Sequence, residues 1–214
     1  KAPSLFPLLR VLVDKKLDQR FLILGSASRT LIQQSSESLA GRIEYIELTP
    51  FTAREVSNLD ELWQRGGFPL SYLAKDDASS YQWRQAYIRT FLEQDIPSLG
   101  FNINSQQIRR FWMMLTHFHG QVCNYSDLGR SLNLSHPTIK HYTDILTSTF
   151  MIRQLQPWHE NISKRQVKSP KIYFRDSGIF HGLMNVEKME DLILHPKLGA
   201  SWEGFALEEV IRVL

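Results

Sequence analysis

The sequence predicts an α/β opening followed by a mostly α remainder, and three observations carry that reading. Arg20-Phe21-Leu22-Ile23-Leu24-Gly25 is a continuous apolar run, the pattern of a parallel strand buried on both faces. From Glu61 onward the apolar residues recur at helical rather than strand spacing. Between Ser126 and Phe174, two helical patterns separated by Asn133-Leu134 precede two strand-like segments that flank a polar loop.

Composition sets the outer bounds. The 214 residues are 43% hydrophobic and 22% charged, enough to bury a substantial core, so intrinsic disorder is excluded as the main state. No apolar run approaches the roughly 20 residues of a membrane-spanning helix, and Lys1-Ala2-Pro3-Ser4-Leu5 lacks the order of a signal peptide. The single cysteine, Cys123, excludes an internal disulfide, and no Cys/His spacing resembles a zinc site. A reducing cytoplasm without a membrane partner is the expected setting.

Taken in order, Leu5, Leu8, Leu9, Leu12 and Val13 predict an opening helix that turns through Asp18-Gln19 into the first strand. Arg42 to Leu48 alternates and reads as a second strand, stopped by Pro50, with Thr52-Ala53-Arg54-Glu55 as a capping box for the next helix. Gly66-Gly67-Phe68-Pro69 breaks the helical region. Ser80 is the expected N-cap of a helix carrying Trp83, Tyr87, Ile88, Phe91 and Leu92, and Ser105 that of a helix with Ile108, Phe111, Trp112, Leu115 and Phe118 on one face.

Ser126 to Leu132 then reads as a short helix and Ser135 as the cap of a longer one, with Pro137 in its first turn. That second helix turns Ile139, Tyr142, Ile145 and Leu146 inward and leaves His136, Thr138, Lys140 and His141 outward. With the strands Phe150–Leu155 and Lys171–Phe174 around a loop holding Lys164, Arg165 and Lys168, this is the arrangement of a winged helix-turn-helix. Asp176-Ser177-Gly178 opens a helical tail, and a last helix starts near Gly199. It reaches Leu214 with no C-cap, so a longer polypeptide is expected.

The net charge of +3 is unevenly spread. Residues 136–175 hold 7 basic and 2 acidic side chains, whereas 176–214 hold 3 and 7. A local positive surplus suits double-stranded DNA, and a solvated lysine-rich loop would look the same. On the DNA reading His136, Thr138, Lys140 and His141 enter the major groove while Lys164, Arg165 and Lys168 meet phosphates. The helix carries one lysine and no arginine to read guanine, so a protein partner is the alternative. His117 and His119, two apart, point in different directions on a helix and are expected to be packing or surface residues rather than joint ligands.

Several motifs in order resemble one family: Lys1-Ala2-Pro3, the Phe21–Ser28 strand, Gly41-Arg42 before Leu48-Thr49-Pro50-Phe51, Gly66-Gly67-Phe68-Pro69, and Tyr87-Ile88-Arg89-Thr90 with Asp95-Ile96. Lys168 to Gly178 and Gly199 with Trp202-Glu203 extend the likeness. The family is that of the bacterial and archaeal AAA+-type ATPases with a C-terminal DUF4143 domain. The resemblance implies the remnant of a P-loop NTPase parallel sheet over residues 1–60, a helical lid over 61–104, the winged helix over 105–175 and the start of a restriction-endonuclease-like domain over 176–214.

It also implies that an intact member binds ATP and magnesium through a phosphate loop and a strand ending in acidic residues. This chain has no Gly-Lys pair, so no hydrolysis is expected of it alone. By resemblance Ser26 is a sensor at a strand tip, against a plain buried serine. Arg42 is an arginine that reaches the terminal phosphate, against a surface arginine opening a strand. Glu203 is the first acid of a nuclease metal site complete only in the intact protein, against an ordinary glutamate at a helix start.

Overall fold

A computed structural model of the chain describes residues 5–15, 19–24, 39–157 and 169–213. It divides into two compact units, Lys1–Leu48 and Thr49–Leu214.

In the first unit the expected opening helix is α1 (Leu5–Asp14), whose Phe6 and Leu9 are buried with Leu39, while Ile23 and Ile43 pack alongside. The two expected parallel strands are corrected: residues 19–24 and 43–49 form no regular strand. Leu22, Leu24, Ile46 and Leu48 are 82%, 85%, 83% and 97% exposed. A parallel strand is stable only in a ladder covered on both faces, and among the described residues no strand lies beside either segment.

The second unit begins with a turn in which the Thr52 amide and hydroxyl both donate to Glu55 Oε2 at 2.9 Å. The expected capping box thus closes a turn, and the helix starts later. It is α2 (Leu59–Arg65), capped by Asn58, whose Oδ1 accepts from the amides of Asp60 and Glu61. The break at Gly66–Phe68 leads to α3 (Pro69–Tyr72) and then α4 (Asp77–Thr90).

The cap of α4 is Asp76, which accepts from the Ser79 amide at 2.7 Å, and not Ser80. Ser80 is fully buried, sharing a hydrogen bond with Ser71 at 2.9 Å, so its small hydroxyl serves packing between helices instead of a terminus. A π-helical turn (Phe91–Asp95) joins α4 to the short α5 (Ile96–Ser98). Next comes α6 (Ser105–Leu115), capped by Asn104 rather than Ser105, one position early, because the Asn104 side chain accepts from the Gln107 amide.

A 3₁₀ turn (Thr116–Phe118) leads to β1 (Gln121–Val122), and α7 (Tyr125–Leu132) ends at Asn133, whose φ of 55° is left-handed. A Cβ on Gly129 would lie 2.7 Å from the Leu134 carbonyl oxygen, so only glycine lets the turn close this tightly over α7. The next helix, α8 (His136–Ser148), is capped as expected by Ser135, which accepts from the Thr138 amide at 3.3 Å.

The strands β2 (Ile152–Leu155) and β3 (Lys171–Phe174) pair antiparallel, Ile152 opposite Phe174 and Leu155 opposite Lys171. β1 joins the other edge of β3, giving the order β1-β3-β2. Three helices follow: α9 (Ser177–Leu183), capped by Asp176, then α10 (Met189–Ile193) and α11 (Leu198–Ile211).

One apolar cluster runs through this unit, from Ile88 and Phe91 through Trp112, Leu128, Ile139 and Leu146 to Phe174 and Phe180. Phe91 and Trp112 stand 5.3 Å apart between ring centroids, and Phe174 and Phe180 5.1 Å, so aromatic contacts add to area burial. The fold is mixed α and β, mostly helical, with a small three-stranded antiparallel sheet. No described helix is long and apolar enough to cross a membrane.

Candidate functional site

The outward face of α8 is set by its inward one. Ile139, Tyr142, Ile145 and Leu146 are buried, and the Tyr142 hydroxyl donates to Gln107 Oε1 at 2.7 Å, fixing α8 against α6. His136, Lys140 and His141 are accordingly exposed, while Thr138 is half-buried with its hydroxyl 2.8 Å from that of Ser135. Asp144 is exposed one turn beyond Lys140, and Arg130 on α7 is paired with Asp127. Lys164, Arg165 and Lys168, like Ser26, lie outside the described residues.

Arg42 makes a two-pronged pair with Asp14, at 2.5 Å from Nε and 3.2 Å from Nη2, and also donates to the Ala40 carbonyl at 3.0 Å. That bond with Arg42 holds the Asp14 carboxyl below its usual range. Reaching a phosphate would require Arg42 to leave this partner. Glu203 accepts from the Tyr173 hydroxyl at 2.5 Å and stands 3.6 Å from Lys171 Nζ. Among the described residues no group of three or more His, Cys, Asp or Glu is placed to hold a metal ion.

A buried polar centre escaped the sequence reading. Asp176 is 8% exposed and accepts from the amides of Gly67 and Ile179, both at 2.9 Å. Burial pushes its carboxyl upward, against those two hydrogen bonds and the guanidiniums of Arg212 and Arg84. Arg84, with no exposed surface, donates to the carbonyls of Gly178 at 3.1 Å and Gln64 at 3.4 Å, and burial lowers its pKa to about 10.

His181 lies between the Gln64 carbonyl, 2.9 Å from Nδ1, and Ser201 Oγ, 2.7 Å from Nε2, and Trp63 Nε1 donates to the same Oγ at 2.9 Å. Serine, imidazole and an acceptor are thus in line, but Ser201 is 1% and His181 0% exposed. No substrate reaches that hydroxyl, so the chain of bonds is a strut between α2, α9 and α11. Burial pushes His181 down to about 3 and His119 down to about 4.

His119 Nδ1 accepts from the Phe174 amide at 3.0 Å, and its ring stacks on Phe180 with centroids 4.1 Å apart. It is a packing residue, one of the two placements, packing or surface, expected for it. Glu208, 3% exposed in its side chain, takes both prongs of Arg153 at 2.5 and 3.0 Å and Arg175 Nε at 3.4 Å. His181 and Ser201 stand among small or apolar neighbours in the sequence, whereas Asp176 lies between Arg175 and Ser177 and Glu208 is followed by Glu209. The helix start at Asp176-Ser177-Gly178 and the break at Gly66-Gly67 were the sequence signals that touched the centre.

Cys123 is fully buried and its thiol is pushed up to about 12 by desolvation. It is expected to resist a thiol-reactive dye in the native protein and to react fully in denaturant; prompt native labelling would show that its pocket opens.

Residues 56–190 match the model of the family described as "Domain of unknown function (DUF8612)", and residues 1–57 match that of "AAA domain". The chain belongs to the DUF8612 family, where the motifs had suggested DUF4143. Two uncharacterized proteins, from Mycobacterium bovis and Mycobacterium tuberculosis, are each 50% identical over 217 aligned residues, which cover 100% of this chain and 49% of theirs. The chain therefore spans about half the length of the curated relatives it matches. No solved structure matches it significantly. The sequence contains no Gly-Lys pair of the kind that reaches a phosphate in a phosphate loop.

Proposed function

We propose that the chain is the coupling part of a longer AAA-type ATPase, in which ATP binding biases the arrangement of a winged-helix module that contacts duplex DNA. The observation that carries this is local: helix α7, a tight left-handed turn at Asn133, helix α8 and then an antiparallel strand pair, with the α8 face of His136, Lys140 and His141 in solvent. The AAA match over residues 1–57 supports the nucleotide half of the reading. The chain alone is expected to neither bind nor hydrolyse ATP, because the phosphate cradle and its lysine are the parts that stabilise phosphoryl transfer.

Two measurements test it. The full-length protein is expected to hydrolyse ATP and this chain not to; inactivity of the full-length protein removes the ATPase half. Binding of this chain to duplex DNA is expected to weaken steeply with salt, and Lys140→Gln to lower the slope of log K against log salt by about 0.9 if Lys140 meets one phosphate. Binding to no duplex at low salt removes the DNA half and leaves a protein-interaction module.

A further inference from the structure

We propose that a second copy of this chain docks on an apolar groove beside α10, inserting its own α10 ridge, to form a two-fold symmetric dimer. The proposal does not depend on the ATPase or DNA reading.

The groove is an open cavity of about 440 Å³ between α6, the end of α7 and the end of α9. Its apolar lining comes from Met113, Met114, Leu132, Leu183 and Met184, and flexible methionines make a surface that adapts to an inserted side chain. Among the described residues its polar lining is one-sided in charge: Arg110 and Lys197, with His117 and His195, and no carboxylate. Lys197 Nζ donates to the His117 carbonyl at 2.5 Å, which holds the ammonium at the groove.

The complementary feature lies one residue away along the chain. Ile193 and Leu194 are 57% and 85% exposed, the latter beside His195 of the groove lining. Glu190 is also exposed and sits three and four positions before them, the spacing that places side chains on one face of a helical turn. The ridge is therefore apolar at its crest and acidic at its flank, where the groove is apolar at its floor and basic at its edge. Because ridge and groove adjoin, a two-fold axis between them places each ridge in the other copy's groove at once. A patch that carries both halves of its own complement makes a closed, isologous contact.

Sedimentation equilibrium of this chain over a wide concentration range tests the proposal. A reversible dimer is expected. Leu194→Ala and Arg110→Glu, both at exposed positions and checked for native circular dichroism, should each raise its dissociation constant by about tenfold or more. Lys140→Gln, on the outward face of α8, should leave it unchanged. A chain monomeric at the highest concentration overturns the proposal, as does a dimer indifferent to both groove and ridge variants. Capture of an acidic amphipathic peptide by a strictly monomeric chain would assign the groove to a different partner and equally overturn it.

Discussion

Asp176→Ala is expected to lower the unfolding free energy by about 3 to 5 kcal/mol, measured by urea denaturation. The carboxylate joins two segments 109 positions apart, accepting from the Gly67 amide in the break after α2 and capping α9 through the Ile179 amide. Alanine leaves two buried amides without acceptors, each a desolvation cost of about 1 to 3 kcal/mol. It also removes the negative charge that faces the buried guanidiniums of Arg84 and Arg212.

Replacing a buried charge by an apolar group is often neutral where both partners can be replaced together. Here the partners are backbone amides, which no side-chain substitution removes. Asp176→Asn keeps one acceptor oxygen but turns an NH₂ toward the second amide, so an intermediate loss is expected. An alanine variant within about 0.5 kcal/mol of the parent would show that water replaces the carboxylate, contrary to this account.

Acidification should destabilise the second unit well before the ordinary carboxylate range. Burial pushes His119 down from 6.5 to about 4 and His181 down to about 3. The sign follows from linkage. Below pH 6.5 the unfolded chain binds protons that the folded imidazoles refuse, so stability is full above that value and is lost as pH falls toward their folded values. Each histidine contributes a slope of about 1.4 kcal/mol per pH unit, which over roughly pH 7.5 to 5 amounts to about 4 kcal/mol for the pair.

Asp176, whose pKa is raised, acts in the opposite sense: above 3.8 its folded form keeps a proton that the unfolded chain releases, which offsets part of the loss. The check is the denaturation midpoint across that range. A midpoint that stays constant from neutral pH to pH 5 would mean that both imidazoles are hydrated and titrate normally, and a shift of half the expected size that one of them does.

The legible parts of this chain are those whose causes lie within a few residues. Ser135 with Pro137 specifies the start of α8, Asp176-Ser177-Gly178 that of α9, and the spacing of Ile108, Phe111, Trp112 and Leu115 the buried face of α6. Caps and periodicity are contacts between near neighbours, so the order of residues is enough to establish them. The outward placement of His136, Lys140 and His141 follows from the same periodicity, which is why that face could be read before any fold was known.

Where more than one nearby residue could cap, local order was insufficient: Asn104 and Asp76 cap the helices assigned to Ser105, one position on, and Ser80, four positions on. Choosing between them depends on which side chain the packed neighbours leave free, as Ser71 does in claiming Ser80. The apolar run at 19–24 and the alternating segment at 43–49 show the other limit, because a strand pattern states a preference that only a neighbouring strand can satisfy. The polar centre is wholly tertiary. Asp176 finds Gly67, His181 finds Gln64 and Ser201, and Glu208 finds Arg153 only after folding removes water and makes each unpaired group costly. Burial creates both the need for these partners and the shifted pKa values, and burial is a property of the packed chain rather than of any window of its sequence.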